Sequence, residues 1–189
     1  MLLTTARLTM RELAPEDAPF MRALLNDAGF LANIGDRGVR TDAQAETYLH
    51  ERMIPAYRRD GFGLYRVATV AEPIGICGFV RREGLTLPDL GFAFLAAHVG
   101  RGYGREAGAA MLRHGADALG LDPVLAITKP ANAASIALLV RLGFGAEGTI
   151  RLPGIDGPSR LFRHDFAEVA DRPDGGRPRG PLAPNSMDF

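Results

Sequence analysis

Residues 98–108 read HVGRGYGREAG. Gly100, Gly102 and Gly104 alternate with Arg101, Tyr103 and Arg105, and a helical pattern follows. Just before them, residues 89–99 (DLGFAFLAAHV) are almost continuously apolar, as a buried central strand would be. The stretch is therefore a strand-to-helix turn. The first amides of a helix have no internal acceptors, and the helix dipole adds partial positive charge there. Glycine removes the Cβ atoms that keep an anion away and tolerates positive φ. Successive amides can then converge on phosphate oxygens, with Arg101 and Arg105 adding charge at the rim. The turn reads as an anion site for a phosphate or pyrophosphate. A glycine-rich turn without a ligand is the alternative.

Outward from this turn, periodicity places the other elements. Residues 7–13 alternate as a strand. Pro15, Glu16 and Asp17 open a helix in which Ala18, Met21, Leu24 and Leu25 share a face. Thr41 caps a second helix with an inner stripe of Ala45, Tyr48, Leu49, Arg52, Met53 and Ala56, and Pro55 should kink or end it. Strands follow at 63–70 and 73–82, then the central strand. A helix over 104–119 carries Ala107, Ala110, Met111, His114 and Ala118 inward and stops at Gly120. Next come a strand at 123–129, a helix over 132–144, and strands at 146–152 and 159–166. The expected fold is α+β, with a mixed, mostly antiparallel sheet of about seven strands flanked by helices. The helix crossover from the fourth strand to the fifth makes those two parallel. Residues 1–168 read as one domain, and 169–189 as a disordered tail rich in Pro and Gly.

Composition narrows the function classes. Lys+Arg and Asp+Glu both total 22, so the formal charge is zero, which argues against a broad nucleic-acid-binding surface. Lys129 is the only lysine. Cys77, the only cysteine, allows no internal disulfide and reads as a buried small hydrophobe. His50, His98, His114 and His164 are too scattered for a familiar metal motif. No stretch approaches a membrane span, and the start lacks a signal-peptide pattern. The expectation is a cytoplasmic protein without metal, nucleic acid or membrane among its partners.

Three motif families compete for the turn. The phosphate-binding pattern GxxxxGK[ST] is absent. The dinucleotide pattern GxGxxG is met by Gly102 and Gly104 only if Ala107 replaces its last glycine, and the turn follows the wrong strand for it. The third pattern includes a second segment, NAASIALLVRLGF (132–144), one strand beyond the turn. Val99-Gly100-Arg101-Gly102-Tyr103-Gly104 together with Asn132 through Ser135 and Leu142-Gly143-Phe144 resembles the GNAT superfamily of N-acetyltransferases. The opening TARLTMREL and the later EGTIRLPG resemble its RimJ/RimL-type, ribosomal-protein N-terminal acetyltransferase branch. The resemblance runs over roughly residues 5–166. Val99 stands where the family often has Gln or Arg, and Leu139 where many relatives have a tyrosine general acid.

The resemblance implies acetyl-CoA as cosubstrate and a primary amine as acceptor, either a protein N-terminus or a small molecule. It implies a sheet splayed between its fourth and fifth strands, with pantetheine in the gap. Phe94, Leu95 and Ala97 would offer backbone groups to pantetheine, and a Phe94 amide would meet the thioester carbonyl. Val99, Gly100, Arg101, Gly102, Tyr103, Gly104 and Arg105 would hold the pyrophosphate. Asn132 and Ser135, at i and i+3 on one helix face, would complete the site, with Ser135 protonating the leaving thiolate; a plain cap and a space-filling serine are the alternatives. Asp89 is the first candidate for general base and Glu83 the second, against surface charge at a strand end. His98 borders the turn, and His114 reads as packed. Phe30, Ile34, Asp36, Arg37 and Tyr65 come from segments on the acceptor side in relatives, with ordinary turn or core roles as the alternative. The protein is expected to be a monomer or homodimer. A non-catalytic acyl-CoA-binding module and a dinucleotide-binding protein are the rival functions.

Overall fold

The computed structural model describes residues 2–166; the tail expected from 169 lies outside them. An eight-stranded sheet runs through the molecule in the order β1-β2-β3-β4-β5-β6-β8-β7. Its strands are β1 (Leu2–Thr4), β2 (Thr9–Glu12), β3 (Leu64–Ala68), β4 (Pro73–Val80), β5 (Asp89–Phe94), β6 (Val124–Thr128), β7 (Gly145–Ile150) and β8 (Ser159–His164). The expected mixed sheet is present, with one more strand than the sequence shows. β1 has only three residues, too few for a pattern, and is fixed by pairing Leu3 with Met10.

The helices divide between the two faces. On one side lie α1 (Ala18–Leu25), α2 (Ala28–Asn33) and α3 (Asp42–Tyr48), while the short α4 (Pro55–Asp60) sends Tyr57 against Tyr65 in the opposite cluster. On the side of α1, α2 and α3, Met21, Leu24, Leu25, Phe30, Ala45 and Leu49 bury with Ile76 and Ala93 of the sheet. On the other lie α5 (Tyr103–Leu119) and α6 (Ala133–Arg141), whose Ala107, Met111 and Leu139 pack with Phe79, Leu90 and Phe162. Two glycines let α5 sit close: a Cβ on Gly108 would fall 2.7 Å from Leu142, and one on Gly115 2.6 Å from Phe79.

Several local expectations hold. Thr41 and Gln44 form a reciprocal capping box at α3. Gly120 ends α5 in the left-handed conformation at φ 61°. Cys77 is fully buried, and burial pushes its thiol up to about 12. Others need correction. The helix after Pro15 begins as a short tight turn, Pro15–Asp17, and breaks again at Asn26–Asp27, where the Asp27 carboxylate accepts from the Gly29 amide and starts α2. Before Pro55 the helix widens, with the Ile54 amide donating to the Leu49 carbonyl five residues back. The widening leaves Arg52 exposed rather than inward. The inward face of α5 takes in Leu112 and Gly115 and leaves Ala118 exposed.

The sheet opens where the site lies. β5 pairs with β4 antiparallel along its length, from Val80↔Asp89 to Gly75↔Phe94. Against β6 it makes one parallel pair, Asp89↔Leu125, closed by the Leu125 amide on the Pro88 carbonyl at 2.9 Å. Beyond that pair the two strands part, leaving a V that widens toward their C-terminal ends.

Candidate active site

The wall of the V follows from strand alternation. The Leu95 amide donates to the Ile74 carbonyl of β4 at 2.9 Å. Residues two apart point their backbone groups the same way, so Ala93 also faces β4, while Phe92 and Phe94 turn their amides and carbonyls toward the gap. Phe94 therefore presents its amide to the gap. Leu95 does not: its amide is taken by Ile74, and its carbonyl accepts from His98. Ala97 is not in a strand either. β5 ends at Phe94, and Ala96–His98 form a single tight helical turn.

The glycine turn closes the open end. Gly100 and Gly102 adopt φ of 81° and 80°, conformations that a Cβ would oppose. Val99 is 61% exposed and its amide donates back to Ala96. α5 then starts at Tyr103, and Arg101 and Arg105 are exposed at the rim. Gly104 brings three elements together: a Cβ there would lie 3.0 Å from Leu138 of α6 and 3.6 Å from Phe94 of β5.

A residue that sequence reasoning missed braces this turn. Arg7, between β1 and β2, donates to the Arg101 carbonyl at 3.1 Å, and its guanidinium lies 4.7 Å above the Tyr103 ring. Its Nε donates to Glu106 at 2.7 Å, and its amide donates to the same carboxylate at 2.9 Å. The Thr5 hydroxyl donates to Glu106 as well, at 2.6 Å. Burial pushes the Glu106 carboxyl up, but Thr5 and Arg7 outweigh it and hold the group below its ordinary value. Arg7 and Glu106 are 99 positions apart, so no local pattern could have paired them.

α6 begins with the expected cap. The Asn132 Oδ1 accepts from the Ser135 amide at 3.0 Å. Asn132 and Ser135 are half-buried, and Ser135 follows the cap on the first helical turn. Leu139 is 1% exposed, packed in the core.

Asp89 requires the largest correction. It is 1% exposed, at the closed vertex of the V, with the Arg82 Nη2 3.0 Å from its carboxylate. Burial raises its proton affinity and Arg82 opposes the rise. A carboxylate enclosed in this way presents no free oxygen to an incoming amine. Glu83 is exposed, as a surface charge would be.

The acceptor-side residues separate into two groups. Phe30 and Tyr65 are core, at 6% and 2% exposure. Ile34 is 40% exposed, and Arg37 is exposed. Asp36 is paired with Arg40, whose hydrogen bonds, with that of the Gly38 amide, hold it down to about 2. His98 is 12% exposed with its Nε2 3.4 Å from Glu72, and His114 is half-buried.

A parallel pair that parts after one rung, with a glycine turn and a helix start at its open end, matches a known arrangement. Residues 7–145 match the family model described as Acetyltransferase (GNAT) domain. The chain belongs to the GNAT acetyltransferase family. Over 153 residues it is 26% identical to the uncharacterized N-acetyltransferase YoaA of Bacillus subtilis (strain 168), covering 79% of this chain and 86% of that one. A shorter stretch of 82 residues is 34% identical to the uncharacterized protein YkkB of the same organism, over 42% of this chain and 48% of YkkB, about half its length. Among solved structures, RimL, a ribosomal L7/L12 alpha-N-protein acetyltransferase in complex with coenzyme A, superposes with a TM-score of 0.76 at 17% identity, covering 87% of this chain and 98% of RimL. That likeness is one of fold. Among the described residues no cluster fit to hold a metal ion occurs, and no helix is long and apolar enough to cross a membrane.

Proposed function

We propose that this GNAT protein transfers an acetyl group from acetyl-CoA to a primary amine, on a protein N-terminus or a small molecule, by direct attack in a ternary complex. The observation that carries this reading is the V between β5 and β6, which leaves the Phe94 amide unpaired by β6 and ends at the glycine turn. Acetyl-CoA brings the activated thioester. The amides of Gly100 through Arg105 hold its pyrophosphate, needing no side chain at Val99 because backbone donors and the helix dipole do the work. Arg101 and Arg105 add charge at the rim. The Phe94 amide polarises the thioester carbonyl, and a donor of this kind is worth about 3 kcal/mol in the transition state. Asn132 orients the start of α6, and Ser135 gives the leaving sulfur a hydrogen bond or proton. With Asp89 enclosed by Arg82, much of the rate comes from holding amine and thioester together.

The test is thiol release from acetyl-CoA across a panel of amines that includes N-terminal peptides, polyamines and aminoglycosides. Turnover that depends on an amine supports the proposal. Saturable CoA binding without turnover on any amine would instead favour an acyl-CoA-binding module. Failure to bind CoA at all overturns both.

A further inference from the structure

The short helix α2 is fastened to both arms of the V. At its start, Asp27 serves two amides: Oδ1 accepts from Gly29 inside the helix, and Oδ2 accepts from Ala96, two residues past β5, at 2.9 Å. At its other end, the Lys129 ammonium, one residue past β6, donates to the Ala32 carbonyl at 2.8 Å. Each contact suits the helix dipole, with an anion at the N-terminus and a cation at the C-terminus. The five residue steps from Asp27 to Ala32 span roughly 7.5 Å of helix axis, more than the roughly 4.8 Å between paired strands. Between the ties, Phe30 is 6% exposed in the cluster that contains Ala93 of β5. α2 is therefore pinned at both ends and in the middle, and it bridges two strands that no longer bond to each other.

We infer that Asp27 and Lys129 are positioning residues that act through α2 to hold the two arms at a fixed separation, so that the gap is ready for the pantetheine arm before binding. This rests on the acyl-CoA reading above. Neither side chain need touch the cosubstrate. The two do not touch each other and communicate only through α2. Fixing the arms in advance removes an ordering cost from binding.

The experiment is calorimetric titration of CoA into the full chain and into Lys129→Met, Lys129→Arg, Asp27→Asn and the Asp27→Asn/Lys129→Met double variant. Lys129→Met is expected to weaken CoA by about tenfold, the scale of one charge-assisted hydrogen bond. Lys129→Arg, which keeps the cation and its donors, is expected to restore affinity. Cutting one end of the strap frees α2, so the double variant should bind little worse than the weaker single variant. Two independent structural contacts would instead add. Wild-type affinity in Lys129→Met, or full additivity in the double variant, overturns the inference. Absence of CoA binding in the wild type overturns the acyl-CoA reading itself, and this inference with it. Should Lys129→Met fail to fold, the wild type decides: Lys129 carries the only ε-amine of the chain. Bound CoA is expected to slow its modification by an acylating reagent, and an unchanged rate counts against the strap.

Discussion

Asp89 and Arg82 form an ion pair at the closed vertex of the β5/β6 opening, with Nη2 to Oδ2 at 3.0 Å and Asp89 1% exposed. The pair lies at the one rung, Asp89↔Leu125, that β5 makes with β6. Arg82→Met leaves a buried carboxylate without its partner, and is expected to cost about 3 kcal/mol in urea unfolding. Asp89→Asn is expected to lower stability while leaving the pH profile of turnover unchanged. Loss of a titrating limb from that profile would restore Asp89 as a base.

The glycine turn depends on its backbone. Gly102 has φ of 80°, and a Cβ there would lie 3.3 Å from the Arg7 guanidinium. Gly102→Ala carries a left-handed penalty of about 1–2 kcal/mol. It is expected to weaken CoA in calorimetry more than Arg101→Ala does, because the amides and not the rim charge set the site.

Glu106 ties the β1–β2 connection to the first turn of α5. Glu106→Gln removes the charge from contacts to Thr5 and Arg7, and is expected to lower unfolding free energy by about 1 kcal/mol, the pair being partly exposed. The folded-state value of Glu106 is depressed. Its contribution is therefore present above the unfolded carboxyl value and is lost as pH falls through the folded one. Acid unfolding curves of wild type and Glu106→Gln should converge at low pH.

His164 is 5% exposed between the rings of Phe144 and Phe166, and its Nδ1 has no partner among the described residues. Burial lowers its proton affinity, against the Gly143 backbone, Asp165 and Asp122. A histidine depressed in the fold gives its stability above the unfolded value, about 6.5, and loses it as pH falls through the folded value. The melting temperature should drop on acidification below about pH 6.5, and His164→Phe should flatten that slope. His114 shifts in the same direction, so some slope is expected to remain.

At α6, Asn132→Ala should cost about 1 kcal/mol of stability through loss of the cap. Ser135→Ala should leave CoA affinity intact while lowering kcat by about a hundredfold, the size of one general-acid contribution. Unchanged kcat would make Ser135 a packing residue.

What the sequence determined by itself was local. The glycines that need positive φ, the caps at Thr41 and Asn132, the stop at Gly120 and the order of the main strands and helices depend on near neighbours, and all are present. What only the tertiary structure decided depends on distant partners. β1 exists because β2 pairs with it, and β8 lies between β6 and β7 because the sheet closes that way. Arg7 reaches Tyr103 across the fold. Asp89 is polar in sequence, which suggests exposure, yet the parallel pair with Leu125 and the Arg82 guanidinium enclose it. Lys129 and Asp27 become one device only because β5 and β6 diverge beneath α2. Caps and turns are set within a few residues of chain, while burial and ion pairing are set by whatever the folded chain brings alongside.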